Sequence, residues 1–99
     1  YRTFTRIPEP NFTTVSITEL LQNIIKLYQT ELINKNIHLQ VNVNPPDLSL
    51  QADRELLEAA LINLIKNAIE ALEPIQNPEI QIIAMVGEHQ RPMIKISDN

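Results

Sequence analysis

At 99 residues without a cysteine, the chain is long enough for one domain but cannot staple it with disulfides, and thiolate metal sites and cysteine nucleophiles are excluded. With 43% hydrophobic and 20% charged residues it has a globular composition, and no apolar run approaches the ~20 residues of a membrane-spanning helix. A net charge of -4 with scattered lysines and arginines supplies no basic stripe for a phosphate backbone, so nucleic acid is not an expected partner, and a soluble cytoplasmic unit is.

The chain opens on Tyr1 without a methionine or a signal-peptide pattern and closes on Asp98-Asn99 directly after a strand-like run, which reads as a piece of a longer protein. Residues 1–11, with Pro8 and Pro10 around Glu9, predict an extended lead-in or linker, and 12–99 a single domain. Phe12 to Ser16 alternates as a short strand. Ser16 and Glu19 have the spacing of a capping box, in which hydroxyl and carboxylate satisfy orphan amides at a helix start. Leu20, Ile24, Tyr28 and Leu32 then recur at helical spacing until Asn34-Lys35-Asn36 offers a left-handed stop.

Ile37, Leu39, Val41 and Val43 alternate with polar residues, the period of a half-buried strand, and Pro45-Pro46 ends it. A brief Leu48–Leu50 alternation precedes Asp53, which caps a second helix running to about Glu73, where Pro74 intervenes. Glu79–Val86 and Met93–Ser97 close the chain as a hairpin with a longer loop through Gly87. Seven elements in the order strand, helix, strand, strand, helix, strand, strand predict an α+β two-layer sandwich, with a mixed sheet covered by helices on one face.

On a helical wheel, Glu55, Asn63, Lys66, Asn67 and Glu70 of the second helix fall within an arc of about 120°. Leu57, Ala60, Leu61, Leu64, Ile65, Ala68, Ile69 and Leu72 form the face expected to be buried. Asparagine is a middling-to-poor helix former, because its amide competes for backbone groups. Two of them one turn apart have two readings: a solvated stripe, or a pair of neutral amide oxygens facing a magnesium ion that keeps its waters and substrate phosphates. Lys66 likewise reads either as half of an exposed pair with Glu70 or as a phosphate contact. Asp98 follows a strand, where an aspartate commonly starts a turn.

The run Asn63-Leu64-Ile65-Lys66-Asn67-Ala68-Ile69-Glu70-Ala71, preceded by Asp53 and Leu56-Leu57, resembles the N box of sensor histidine kinases, N-L-x-x-N-A-x-x-A, within the superfamily of type II topoisomerases, Hsp90-like chaperones and mismatch-repair ATPases. The resemblance implies a partial Bergerat-type ATP-binding fold, with Asn67 as the Mg²⁺ ligand and Asn63 a turn away near the phosphates. ATP-hydrolysing relatives carry a glutamate at the position of Asn63, so asparagine leaves no general base for water. Met93 to Asn99 resembles the strand entering the G1 box, D-x-G-x-G, which gives Asp98 the part of accepting a hydrogen bond from the adenine amino group. The chain departs from the family in its glycines: Gly87 is the only one, so the glycine loops and ATP lid are missing and nucleotide affinity is expected to be weak or nil. Many such kinases also place a basic residue where Glu70 stands.

The resemblance implies a parent that transfers the ATP γ-phosphate to a histidine on an upstream dimerisation helix and onward to a response regulator. His38 and His89 lack that histidine's surroundings and read as structural or solvated. The Asn67-Ala68-Ile69-Glu70-Ala71-Leu72 run and the lead-in Tyr1–Pro8 resemble nitrogen-regulation, NtrY-like sensor kinases, whose parents often sit in the cell membrane. The alternative is a non-catalytic interaction domain on the same scaffold. Either way, a missing strand and helix would leave apolar surface and a sheet edge that favour self-association.

Overall fold

The computed structural model describes residues 11–99; the lead-in read over residues 1–11 therefore lies, except for Asn11, outside the described residues. The elements follow as β1 (Phe12–Ser16), α1 (Ile17–Asn34), β2 (His38–Asn44), β3 (Ser49–Asp53), α2 (Arg54–Ala71), β4 (Glu79–Val86), a 3₁₀ turn (Glu88–Gln90) and β5 (Pro92–Asp98). The expected α+β sandwich is present, with one refinement. The strands divide into an antiparallel pair, β1 with β3, and a mixed three-stranded sheet ordered β2-β4-β5.

Local chemistry sets most boundaries. The Ser16 hydroxyl accepts from the Glu19 N–H at 3.3 Å, while the reciprocal bond of a full capping box is not formed. At the other end of α1, Asn36 takes the left-handed conformation (φ 55°). Its N–H donates to the Ile33 carbonyl and that of Ile37 to the Leu32 carbonyl at 2.9 Å, the paired closure of a Schellman motif with Leu32 and Ile37 both buried. The β4–β5 hairpin turns through His89 and Gln90, both at positive φ, and both histidines are exposed.

The parallel β2–β4 pair, Leu39 opposite Ile80 and Val43 opposite Ala84, needs a crossover, which β3 and α2 provide. In β4 the side chains of Ile80, Ile82 and Ala84 point to the helices and are completely buried, while Gln81 and Met85 face solvent. Cross-strand neighbours share a face, so Leu39, Val41 and Val43 of β2 and Ile94 and Ile96 of β5 extend that apolar layer. Against it pack Leu20, Leu21, Ile24 and Leu32 of α1 and Leu61, Ile65, Ala68 and Ile69 of α2. Each such Leu or Ile, fully buried, contributes roughly 1.5–3 kcal/mol.

The buried face of α2 is narrower than the sequence pattern predicts. Ala60 and Leu64 were expected inside, yet both are exposed, Leu64 at 50%. The sheet is only three strands wide, and the helix touches it along the Leu61, Ile65, Ala68, Ile69 and Leu72 line, which leaves the flank carrying Ala60 and Leu64 uncovered.

Candidate functional site

Two pieces of the chain bear the predicted site residues, the outer face of α2 and the end of β5, and the start of α2 anchors the first of them. At the start, Asp53 caps α2 by accepting from the Leu56 N–H with Oδ1 at 3.2 Å. Its second oxygen, Oδ2, accepts from the Asn11 N–H at 2.9 Å. The Asn11 amide first, then that of Leu56, hold the carboxyl below its ordinary value; partial burial opposes them and the Glu55 amide adds a smaller push in the same direction. Asp53 thus fixes where α2 begins relative to β1, whose Phe12 is its strand partner.

From that anchor α2 runs 18 residues without a break. Asn63 and Asn67 are both exposed, separated by about 6 Å along the axis on one side of the helix. Neither makes a side-chain hydrogen bond among the described residues. Lys66 is exposed beside them, and the pair expected with Glu70 is not formed; the ion pairs of the described residues are Lys35 with Glu31 at 3.1 Å and with Glu73 at 3.9 Å. The polar stripe is interleaved with Leu56 and has an apolar neighbour: Ala60, Leu64 and Ala71 flank the asparagines on the side away from Lys66, and all four residues are exposed.

The end of β5 places Asp98 opposite Ile80. Since Ile80, Ile82 and Ile96 face the helices, Asp98 shares that face at the sheet's end, where β4 starts shortly after α2 finishes. Asp98 is exposed and makes no side-chain hydrogen bond among the described residues. Its neighbour Asn99 is fastened: Oδ1 accepts from the Glu79 N–H at 2.9 Å and Nδ2 donates to the Asn77 carbonyl at 3.1 Å. Sequence reasoning missed this clamp. Its one visible signal was an asparagine just past a strand, a residue whose amide readily bonds nearby backbone.

Chemically, the arrangement offers two neutral amide oxygens, an ammonium and, at the strand end, a carboxylate, all without a side-chain partner among the described residues. Among the described residues no group of three or more His, Cys, Asp or Glu side chains gathers to hold a metal. The donor set that remains, one or two amide oxygens, suits magnesium bound chiefly through water and substrate phosphates. Among the described residues no helix is long and apolar enough to cross a membrane.

No family model matches the chain. It is 30% identical over 96 residues to an NtrY-like sensor histidine kinase of Rickettsia bellii, covering 97% of this chain and 15% of that protein. It is also 30% identical over 86 residues to the adaptive-response sensory kinase SasA of Synechocystis, covering 86% of this chain and 22% of that one. The chain therefore spans less than a quarter of the length of these relatives. Among solved structures, it resembles the catalytic domain of the histidine kinase ThkA with a TM-score of 0.81 at 27% identity, over 89% of this chain and 59% of that domain. ThkA in complex with the response regulator TrrA aligns with a TM-score of 0.79, over 89% of this chain and 25% of that one.

Proposed function

By sequence and fold this chain is a relative of the sensor histidine kinases and corresponds to part of their catalytic domain, and on that footing we propose that residues 12–99 form one side of a Mg-ATP site. The observation that carries this reading is the Asn63/Asn67 pair: exposed, unpaired among the described residues, and set mid-helix where asparagine is costly. The Asn67 amide oxygen ligates magnesium, and Asn63, one turn earlier, faces the phosphates. Bound magnesium supplies charge neutralisation across the phosphate oxygens. The Lys66 ammonium, free of Glu70, adds a positive charge at the edge of the same face. Asp98 accepts a hydrogen bond from the adenine amino group, which makes adenine the preferred base.

What is missing from this face matters as much. With an amide in place of a carboxylate at position 63, that position supplies no base to deprotonate water beside the γ-phosphate, so the site holds ATP for transfer rather than hydrolysis. The acceptor is a histidine of the parent's upstream dimerisation helix, and the phosphoryl group then passes to a response regulator; the solved ThkA–TrrA complex supports such a partner. The parent is an NtrY-like kinase, consistent with the Rickettsia relative. The exposed edges of β2 and β5, with Val41 and Met93 about half exposed, support concentration-dependent self-association, for which a constant light-scattering mass up to high concentration is the contrary result.

Chemical-shift titration of the 99-residue chain with millimolar ATP, with and without Mg²⁺, tests the site. Shifts on the α2 face that need Mg²⁺ and vanish in Asn67→Ala are expected. Shifts of equal size with and without Mg²⁺, or unchanged in Asn67→Ala, overturn the ligand assignment.

A further inference from the structure

Asn99 uses both ends of its side-chain amide on one short segment. Oδ1 accepts from Glu79 N–H and Nδ2 donates to the Asn77 carbonyl, while the Asn99 backbone N–H reaches the Glu79 carbonyl at 3.4 Å. Within that segment the Pro78 carbonyl accepts from the His38 N–H at the start of β2, and just before it the Ile75 N–H donates to the Leu72 carbonyl at the end of α2. Asn77 turns the chain at φ 52°, and the bond from Asn99 holds its carbonyl in that turn. The Asn99 side chain therefore joins the end of β5 to the start of β4, on a segment that also bonds the start of β2.

Asp98 stands one residue before this clamp. Its own carboxylate has no hydrogen-bond donor among the described residues, so its position depends on the backbone that bears it. On one side that backbone is held by the β4–β5 ladder, and on the other by Asn99. We infer that Asn99 is a positioning residue for base selection: by locking the end of β5 to the Asn77–Glu79 segment, it holds the Asp98 carboxylate at a set distance from the outer face of α2. This rests on the reading of Asp98 as the base selector. A hydrogen bond loses strength steeply with misalignment, whereas contacts to a multiply charged metal-triphosphate are less directional. Loosening the clamp is therefore expected to erode discrimination between adenine and guanine before it erodes metal-dependent binding at Asn67. Asparagine suits the position because it supplies one acceptor and two donors; aspartate keeps only the acceptor, and alanine neither.

Two measurements on the 99-residue chain test this, with Asn99→Ala and the milder Asn99→Asp. Without nucleotide, hydrogen exchange of the Glu79 amide should accelerate about fivefold or more in Asn99→Ala and stay near wild type in Asn99→Asp. Unchanged Glu79 exchange in Asn99→Ala overturns the clamp. With nucleotide, titrations with Mg-ATP and Mg-GTP give a preference ratio, expected to fall about fivefold in Asn99→Ala and less in Asn99→Asp. Equal weakening for both nucleotides overturns the positioning role and leaves a purely structural one. A wild-type chain with no preference for ATP sinks the Asp98 reading itself and the inference with it, a failure distinguishable because Asp98→Ala then also leaves the ratio unchanged.

Discussion

The two helices have the same length, 18 residues each, and each starts at a side-chain cap, yet they meet solvent differently. The outer face of α1 carries Glu19, Gln22, Lys26, Gln29 and Glu31, long polar side chains, of which Gln, Lys and Glu are good helix formers, together with the exposed Leu27 and Ile33. Its one interior asparagine, Asn23, stands alone among them. The outer face of α2 carries two asparagines in line, bordered by exposed leucine and alanine on one side and by Lys66 and Glu70 on the other. Nothing inside the described chain offsets the helix cost of that pair. The difference teaches where to look for a ligand: on the face whose composition solvent alone does not explain.

The inner faces should behave alike, and testing them gives the largest effects. Ile24→Ala in α1 and Ile65→Ala in α2 remove side chains at 0% and 4% exposure, and each should cost about 2–5 kcal/mol in urea unfolding. A markedly smaller loss at Ile65 would mean that α2 is not packed as described, and the comparison would break at its base. On the outer faces the expected changes are smaller and of opposite sign. Asn23→Ala and Asn67→Ala should each stabilise the chain, by up to ~0.7 kcal/mol, because alanine is the better helix former. Only the second should alter Mg-ATP titration. If Asn67→Ala is instead destabilising, its side chain has a partner within the fold and the solvent-facing reading fails.

Replacing an exposed leucine sharpens the contrast further. Leu64→Gln should change unfolding by no more than ~0.5 kcal/mol, unlike any substitution at neighbouring Ile65. The caps provide the subtlest difference. Asp53 is ionised and held below its ordinary value near 3.8, whereas Ser16 carries no charge. The depressed carboxyl stabilises the fold above the unfolded value, and that contribution is lost as pH falls through the lower folded value. Protection of the Leu56 amide against exchange, relative to the intrinsic rate at each pH, should therefore fall on acidification below about 3.8, and that of Glu19 should respond less. An equal loss of protection at both amides would remove Asp53 as the cause.

Much of this was legible in the sequence because it is local. Asn36 stops α1, Asp53 starts α2, and alternation marks β2 and β4, all through chemistry within a few residues. Pairing across distance was not legible. Nothing near Phe12 announces that its partner is Asp53, nor that β1 and β3 form a sheet of their own. The exposed flank at Ala60 and Leu64 was misjudged because a helical wheel registers apolarity but not the width of the sheet behind it. For the site, residue types pointed to Asn63 and Asn67 directly. The clamp at Asn99 depends on the Asn77–Glu79 turn, 20 residues earlier in the chain, and only the folded structure brings the two together.

The central claim, that the outer face of α2 holds a metal-nucleotide, is most directly tested with Mn²⁺ in place of Mg²⁺, since a paramagnetic ion reveals even weakly occupied sites. With Mn²⁺ and ATP together, amide resonances of residues 63–67 should broaden most, those of the outer face of α1 should not, and Asn67→Ala should abolish the effect. Broadening that is uniform over both helices, or that persists in Asn67→Ala, would contradict the account.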